Sequence, residues 1–221
     1  PFLEMAAKTE NLEIQRIASE IIQAIIPRQL LRQFSQLAQS SPSGHWNLET
    51  GVILLQKFGY PDEETNNLSK SLDLLAKEVS ALIERKQSPE QTVKILTRFL
   101  FFEKGFEGNK IDFLDPDNTY FSRVLDKKRG LPITLSALCI FLGQRIGLPI
   151  VGVGLPGRYI AKYESLTQPI YFDPFDQGRI LSQEDCARLV GEMGYHFEEH
   201  YLGDRKSTRL NSSHSEISYA V

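Results

Sequence analysis

The 221-residue chain carries 25 Lys and Arg against 28 Asp and Glu, a net charge of −3, with 41% hydrophobic and 24% charged residues. These values exclude wholesale disorder, a fibrous chain and a disulfide scaffold, and they argue against a general nucleic-acid binder, which carries a basic excess. No run of about 18 apolar residues occurs, so no membrane span is expected, and two cysteines, Cys139 and Cys186, leave a reducing cytoplasm as the expected compartment.

The start, Pro1-Phe2-Leu3-Glu4, has neither an initiator Met nor a signal-peptide pattern and reads as clipped. Ile14, Ile17, Ile21, Ile25 and Leu30 recur at helical spacing over residues 12–39 and predict an amphipathic helix, broken near Pro27. Ser40-Ser41-Pro42-Ser43-Gly44 reads as a loop, and His45 beside Trp46 as a structural pair. Asn47 predicts the cap of a helix through Phe58, with Gly59 as its stop. Leu68, Leu72, Leu75, Val79 and Leu82 mark a third helix. Ser88-Pro89-Glu90-Gln91 has the form of a capping box with Pro at the first helical position, and the helix it opens is expected to reach Phe102.

Residues 105–117 read as an irregular loop, followed by a short helix over 120–127 and the basic run Lys127-Lys128-Arg129, expected as a solvated helix end. Residues 134–146 predict a buried helix, stopped by Gly147 and Pro149. Strands are expected over 150–153, 159–163 and 170–173, separated by Leu155-Pro156-Gly157 and Thr167-Gln168-Pro169. Ser182-Gln183-Glu184-Asp185 opens a last helix through Met193. Residues 204–221 have no apolar period and resemble a translated sequencing adapter. One frame of that adapter encodes residues 204–214 and, after a barcode, 217–221. The tail is therefore expected to be non-native and the natural chain to continue beyond Gly203.

Few residues offer chemistry. Cys139 lies between Leu138 and Ile140 on the apolar helix and reads as core. Cys186 lies near a helix start, which lowers a thiol pKa, but Glu184 and Asp185 oppose a thiolate. His196 and His200 are four apart and could share a helix face, without a His-Glu-x-x-His pattern, and read as a surface pair. The glycines at 152, 154 and 157 make no dinucleotide fingerprint, because no helix opens after them.

The order of buried helix, Gly147-Leu148-Pro149, strand, Pro156-Gly157-x-Tyr159, strand and Asp173-Pro174-Phe175 resembles the transglutaminase-like superfamily. Arg129-Gly130-Leu131-Pro132-Ile133-Thr134-Leu135-Ser136, with the stretch from Phe172-Asp173-Pro174-Phe175 to Cys186, resembles its bacterial SirB-one-type branch. The resemblance covers roughly residues 68–190. It implies a Cys nucleophile at the start of the core helix, a His on the next strand and an Asp one strand further on, the Cys-His-Asp logic of acyl transfer. The nucleophile position falls at or beside Pro132, with Thr134 the nearest hydroxyl. The His position falls at Arg158, and the Asp is kept as Asp173.

Proline supplies no nucleophile, and arginine stays protonated and cannot act as a general base. Arg158 can instead pair bidentately with Asp173. The expectation is an α+β protein: a helical N-terminal part, 1–67, packed on a transglutaminase-like core, 68–203, with a small antiparallel sheet. It is a pseudoenzyme acting as a binding or regulatory module, with no metal or cofactor and with a protein or peptide partner. Two alternatives stand beside it. One is a cysteine hydrolase or acyltransferase with Cys139 or Cys186 as relocated nucleophile, served by His196 or His200. The other is a helical adaptor acting through the N-terminal helices. Residues 106–118 are either a peptide groove beside the core helix or a structural Asp-Pro turn.

Overall fold

The structure is a computed structural model. It describes residues 5, 7–9, 11–40, 47–61, 63, 66–84 and 86–203, the side chains of 18–27 excepted. The expectations for the first four residues, for most of the loop after Ser40, for His45 and Trp46, and for the adapter-like tail lie outside the described residues. The chain divides into two compact units, Pro1–Leu68 with Tyr120–Ser122, and Ser69–Thr119 with Arg123–Val221.

In the first unit, α1 (Leu12–Gln39) is capped by the Asn11 side chain, which accepts the N–H groups of Glu13 and Ile14. The helix continues through Pro27, contrary to the expected break. Proline removes one intrahelical donor, and in a 28-residue helix the turns on both sides persist. Helix α2 (Leu48–Gly59) packs on α1 and is capped by Asn47 as its sequence requires. The buried Gln56 is satisfied at both ends: Nε2 donates to Glu63 and to Ser122 Oγ at 2.8 and 2.6 Å, and Oε1 accepts the Ser122 N–H.

The second unit is built around one apolar helix. Helix α3 (Asn66–Ser80) buries Leu72, Leu75, Ala76 and Val79. The capping box of Ser88 and Gln91 starts α4 (Pro89–Thr97). The α-helix does not run to Phe102 as expected. It widens at Arg98 into a π-helical turn, Arg98–Glu103, burying Phe99, Leu100 and Phe101 while Phe102 stays 67% exposed.

The irregular loop contains a two-residue strand, β1 (Glu107–Gly108), paired in parallel with β2 (Arg129–Gly130). Between them lies α5 (Phe121–Lys127). The basic run is exposed at Lys127 and Arg129, as expected, and is also paired: Lys127 Nζ lies 2.6 Å from Asp117, Lys128 Nζ sits 4.4 Å from the centre of the Phe106 ring, and Arg129 pairs with Glu107 at 2.7 Å.

Helix α6 (Pro132–Ile146) is the core helix. Residues 134–143 are all buried, and Gly147 ends it in the left-handed conformation at φ +73°. Burying Leu135, Leu138, Phe141 and Leu142 stabilises the unit by about 1.5–3 kcal/mol each. Against α6 lies an antiparallel sheet in the order β3 (Ile150–Leu155), β4 (Arg158–Tyr163), β5 (Ile170–Asp173), β6 (Arg179–Leu181). The three expected strands are present. The fourth, β6, closes behind the tight turn Gln177–Gly178, where Gly178 has φ +75° and a Cβ would fall 2.4 Å from Thr97. The last helix, α7 (Gln183–Glu192), is capped by Ser182 and Asp185.

The loop before α5 is held by two buried amides. Asn118 Nδ2 donates to the carbonyls of Asp112 and Phe113, and its Oδ1 accepts from Asn109 Nδ2 at 2.9 Å. Asn109 Oδ1 accepts the Asp112 N–H. Asn118→Ala leaves Asn109 Nδ2 and the Phe113 carbonyl without these partners and is expected to cost about 1–3 kcal/mol. Urea unfolding measures it, and a loss below about 0.5 kcal/mol, the level of ordinary surface substitutions, contradicts it.

Candidate functional site

Asp173 ends β5 fully buried, and each of its acceptors is used. Because Pro174 follows, the chain leaves the strand in a 3-10 turn, Pro174–Asp176, and the Asp173 side chain caps it. Oδ1 accepts the N–H groups of Phe175 and Asp176 at 2.9 and 3.3 Å, and the main-chain oxygen accepts the Gly178 N–H at 2.8 Å. Oδ2 accepts Arg158 Nε at 3.0 Å and Nη2 at 2.5 Å. The expected pairing of Arg158 with Asp173 across adjacent strands is therefore present. It is not the expected two-oxygen fork: both nitrogens converge on Oδ2, because Oδ1 is already held by backbone N–H groups.

The Arg158 guanidinium lies 5.3 Å from the centre of the Phe175 ring, and Phe113 meets Phe175 edge-on at 5.9 Å. Beside it opens a cleft of about 480 Å³, lined by Arg158, Phe175, Lys110, Arg179 and Arg188, among others. Lys110 and Arg179 both reach Asp176, at 3.4 and 3.0 Å, and Arg188 pairs with Asp185 at 2.6 Å. Sequence reasoning missed Lys110, Arg179, Arg188 and Phe175 as neighbours of the site. They come from four separate segments, and only the turn at Asp173-Pro174 gave a local signal.

Pro132 is the first residue of α6, half-buried. The Thr134 hydroxyl is buried and engaged: it accepts the Leu131 N–H at 2.9 Å and lies 3.1 Å from the Asn118 carbonyl, to which it donates. It serves as a helix cap. The Ser136 hydroxyl, four residues on from Pro132, is fully buried and out of reach of a substrate.

Cys139 and Cys186 are buried and unpaired. Burial pushes the Cys139 thiol far above its ordinary range. Cys186 packs with Val153, Ile160, Leu181 and Val190. Burial, then the nearby Asp185 and Asp173 carboxylates, push its thiol up to about 11. His196 and His200 do not share a helix face: His196 follows the end of α7 in irregular chain, and His200 sits on a 3-10 turn, Glu199–Leu202, with Nδ1 3.0 Å from Glu198. Both are exposed, and among the described residues neither thiol has a hydrogen bond to an imidazole. Among the described residues no group of three or more His, Cys, Asp or Glu could hold a metal ion, and no helix is long and apolar enough to cross a membrane.

The sequence model of the family described as the transglutaminase-like superfamily matches residues 66–209. A UPF0162 protein of Vibrio cholerae is 29% identical over 149 residues, covering 66% of this chain and 55% of the relative. A UPF0162 protein of Xylella fastidiosa is 27% identical over 143 residues, 65% of this chain and 51% of the relative. F-box only protein 21 of Homo sapiens is 27% identical over 135 residues, 58% of this chain and 21% of the relative. The chain thus spans about half the length of the UPF0162 proteins it matches. No solved structure matches it.

The thiol environments give a pH prediction. Folding raises the Cys186 pKa, so the folded state holds its proton longer than the unfolded chain does. The resulting stabilisation is complete below the ordinary thiol pKa of about 8.5 and is lost as pH rises from there through about 11. Limited alkylation followed by mass spectrometry is expected to label neither cysteine appreciably near neutral pH. Fast, pH-independent labelling of Cys186 there contradicts the assignment.

Proposed function

The chain belongs to the transglutaminase-like superfamily, and from that premise we propose that this domain uses the fold for binding rather than turnover, as a pseudoenzyme in a regulatory role. The observation that carries the reading is the Arg158–Asp173 pair. Where acyl transfer needs an imidazole to move a proton, a permanently charged guanidinium is pinned to the carboxylate that would orient that imidazole. Pro132 at the head of the core helix supplies no nucleophile, and the Thr134 hydroxyl is occupied. A relocated cysteine nucleophile is opposed by the burial and raised pKa of both thiols and by the exposure of both histidines. The likeness to F-box only protein 21 supports a protein partner. The assignment to the SirB-one-type branch and to the cytoplasm belongs to the same reading, supported by the motif from Arg129 to Ser136 and by the two free thiols.

The test is enzymatic. The purified chain is expected to show no rate above buffer for ester or amide hydrolysis, or for transfer of a glutamine acyl group to a fluorescent amine. Arg158→His alone is expected to show none either, because it restores a base without a nucleophile. A thiol-dependent rate that disappears in Cys139→Ala or Cys186→Ala overturns the reading.

A further inference from the structure

Beside the turn that follows Asp173, the cleft at Arg158 meets a second and larger depression. This one has about 850 Å³ and is lined by Lys94, Thr97, Arg98, Phe102 and the stretch from Gln177 to Ile180. Asp176 and Arg179 line both, so the two depressions adjoin, and together they are called the trough below. One wall is the π-helical turn, a backbone irregularity frequent at functional sites. The opposite wall is β6, the outermost strand of the sheet, entered through Gln177, a non-glycine residue held at φ +53°. Phe102 stands at 67% exposure in this wall, although a neighbouring stretch of the same turn is buried.

The lining is cationic. Lys94, Arg98, Arg179, Lys110 and Arg188 face the trough with Asp176, Asp185 and Glu192. Arg158 is left out of this comparison, because the buried Asp173 neutralises it. The lining holds five positive groups against three carboxylates, and all five are paired at its surface: Lys110 and Arg179 with Asp176, Arg188 with Asp185, and Lys94 and Arg98 with carboxylates outside the lining. Lys94 and Arg98 pair with Glu90 and Glu103, which do not line the trough, at 2.6 and 3.5 Å and with all four side chains about half or more exposed. Exposed pairs of this kind contribute about 0–1 kcal/mol, so an incoming carboxylate can take over the cation at little cost.

We propose that this trough binds a short, extended, acidic peptide segment of a partner protein. One large apolar side chain of that segment lies against Phe102 and Ile180, and its carboxylates lie against Lys94 and Arg98 at one end and Arg179, Arg188 and Lys110 at the other. An outermost strand can pair with extended chain, and cations exchange an exposed partner for an incoming carboxylate. Nucleic acid fits less well: Asp176 and Asp185 interrupt the positive surface, and the overall negative charge repels a long polyphosphate.

The proposal rests on the reading of the domain as a binding module and is tested separately from it. Fluorescence anisotropy of the chain is measured with a labelled, end-blocked octapeptide alternating Glu with Leu or Phe, at physiological salt. A Lys-for-Glu version of the peptide and a single-stranded DNA oligonucleotide serve as rivals. The acidic peptide is expected to bind at least about ten-fold more tightly than either. Lys94→Glu with Arg98→Glu, two exposed positions, is expected to weaken it by about ten-fold or more, and Phe102→Ala by about five-fold, with unchanged circular dichroism. Absence of peptide binding, equal binding by the double variant, or tighter binding of DNA overturns the proposal. If the peptide fails and the chain is enzymatically silent, the docking site falls and the pseudoenzyme reading stands. If the peptide binds and the chain turns over a substrate, the reverse holds.

Discussion

A single buried carboxylate organises the second unit. Asp173 ends β5, caps the 3-10 turn, fixes the return of the chain through Gly178 into β6, and holds Arg158 on the adjacent strand. A buried carboxylate is tolerable only when its lone pairs are used, because its desolvation costs several kcal/mol. Two backbone N–H groups and one guanidinium meet that requirement here. The guanidinium in turn lies against Phe175, which belongs to the turn that the same carboxylate caps. Strand end, turn, strand edge and aromatic packing therefore depend on one group.

The same charge shapes the chemistry around it. It is one of the causes that push the Cys186 thiol up, and it neutralises Arg158 on the adjacent strand. On the proposed reading, a carboxylate that in an acyl-transfer triad would fix the tautomer of a histidine is committed to a group that never gives up its proton, and the pair serves rigidity rather than proton transfer.

Local signals were legible in the sequence where a residue acts on its own neighbours. The caps at Asn47, Ser88 and Ser182 and the stop at Gly147 form as their residue types require. The match between Arg158 and Asp173 could be anticipated because the family resemblance sets the two at neighbouring site positions, though not the sharing of one oxygen. What was hidden depends on tertiary packing. Nothing in Arg98-Phe99-Leu100-Phe101-Phe102-Glu103 distinguishes a π-helical turn from an α-helical one. The parallel ladder of β1 and β2 and the three-residue β6 are too short to show a period. Pro27 suggested a break that the helix does not make, and the four-residue spacing of His196 and His200 suggested a shared face in a segment that is not helical. The cations of the trough come from separate segments, so only the fold brings them together.

The central claim is that Arg158 and Asp173 act as one locked pair. A double-mutant cycle with Arg158→Met, Asp173→Asn and the combined variant, read by urea unfolding, measures this directly. The account predicts a coupling energy above about 1 kcal/mol, with each single variant losing more than its share because a buried group is left without its partner. Single losses that add to within about 0.3 kcal/mol would show that the two side chains meet without depending on each other, and would contradict the account.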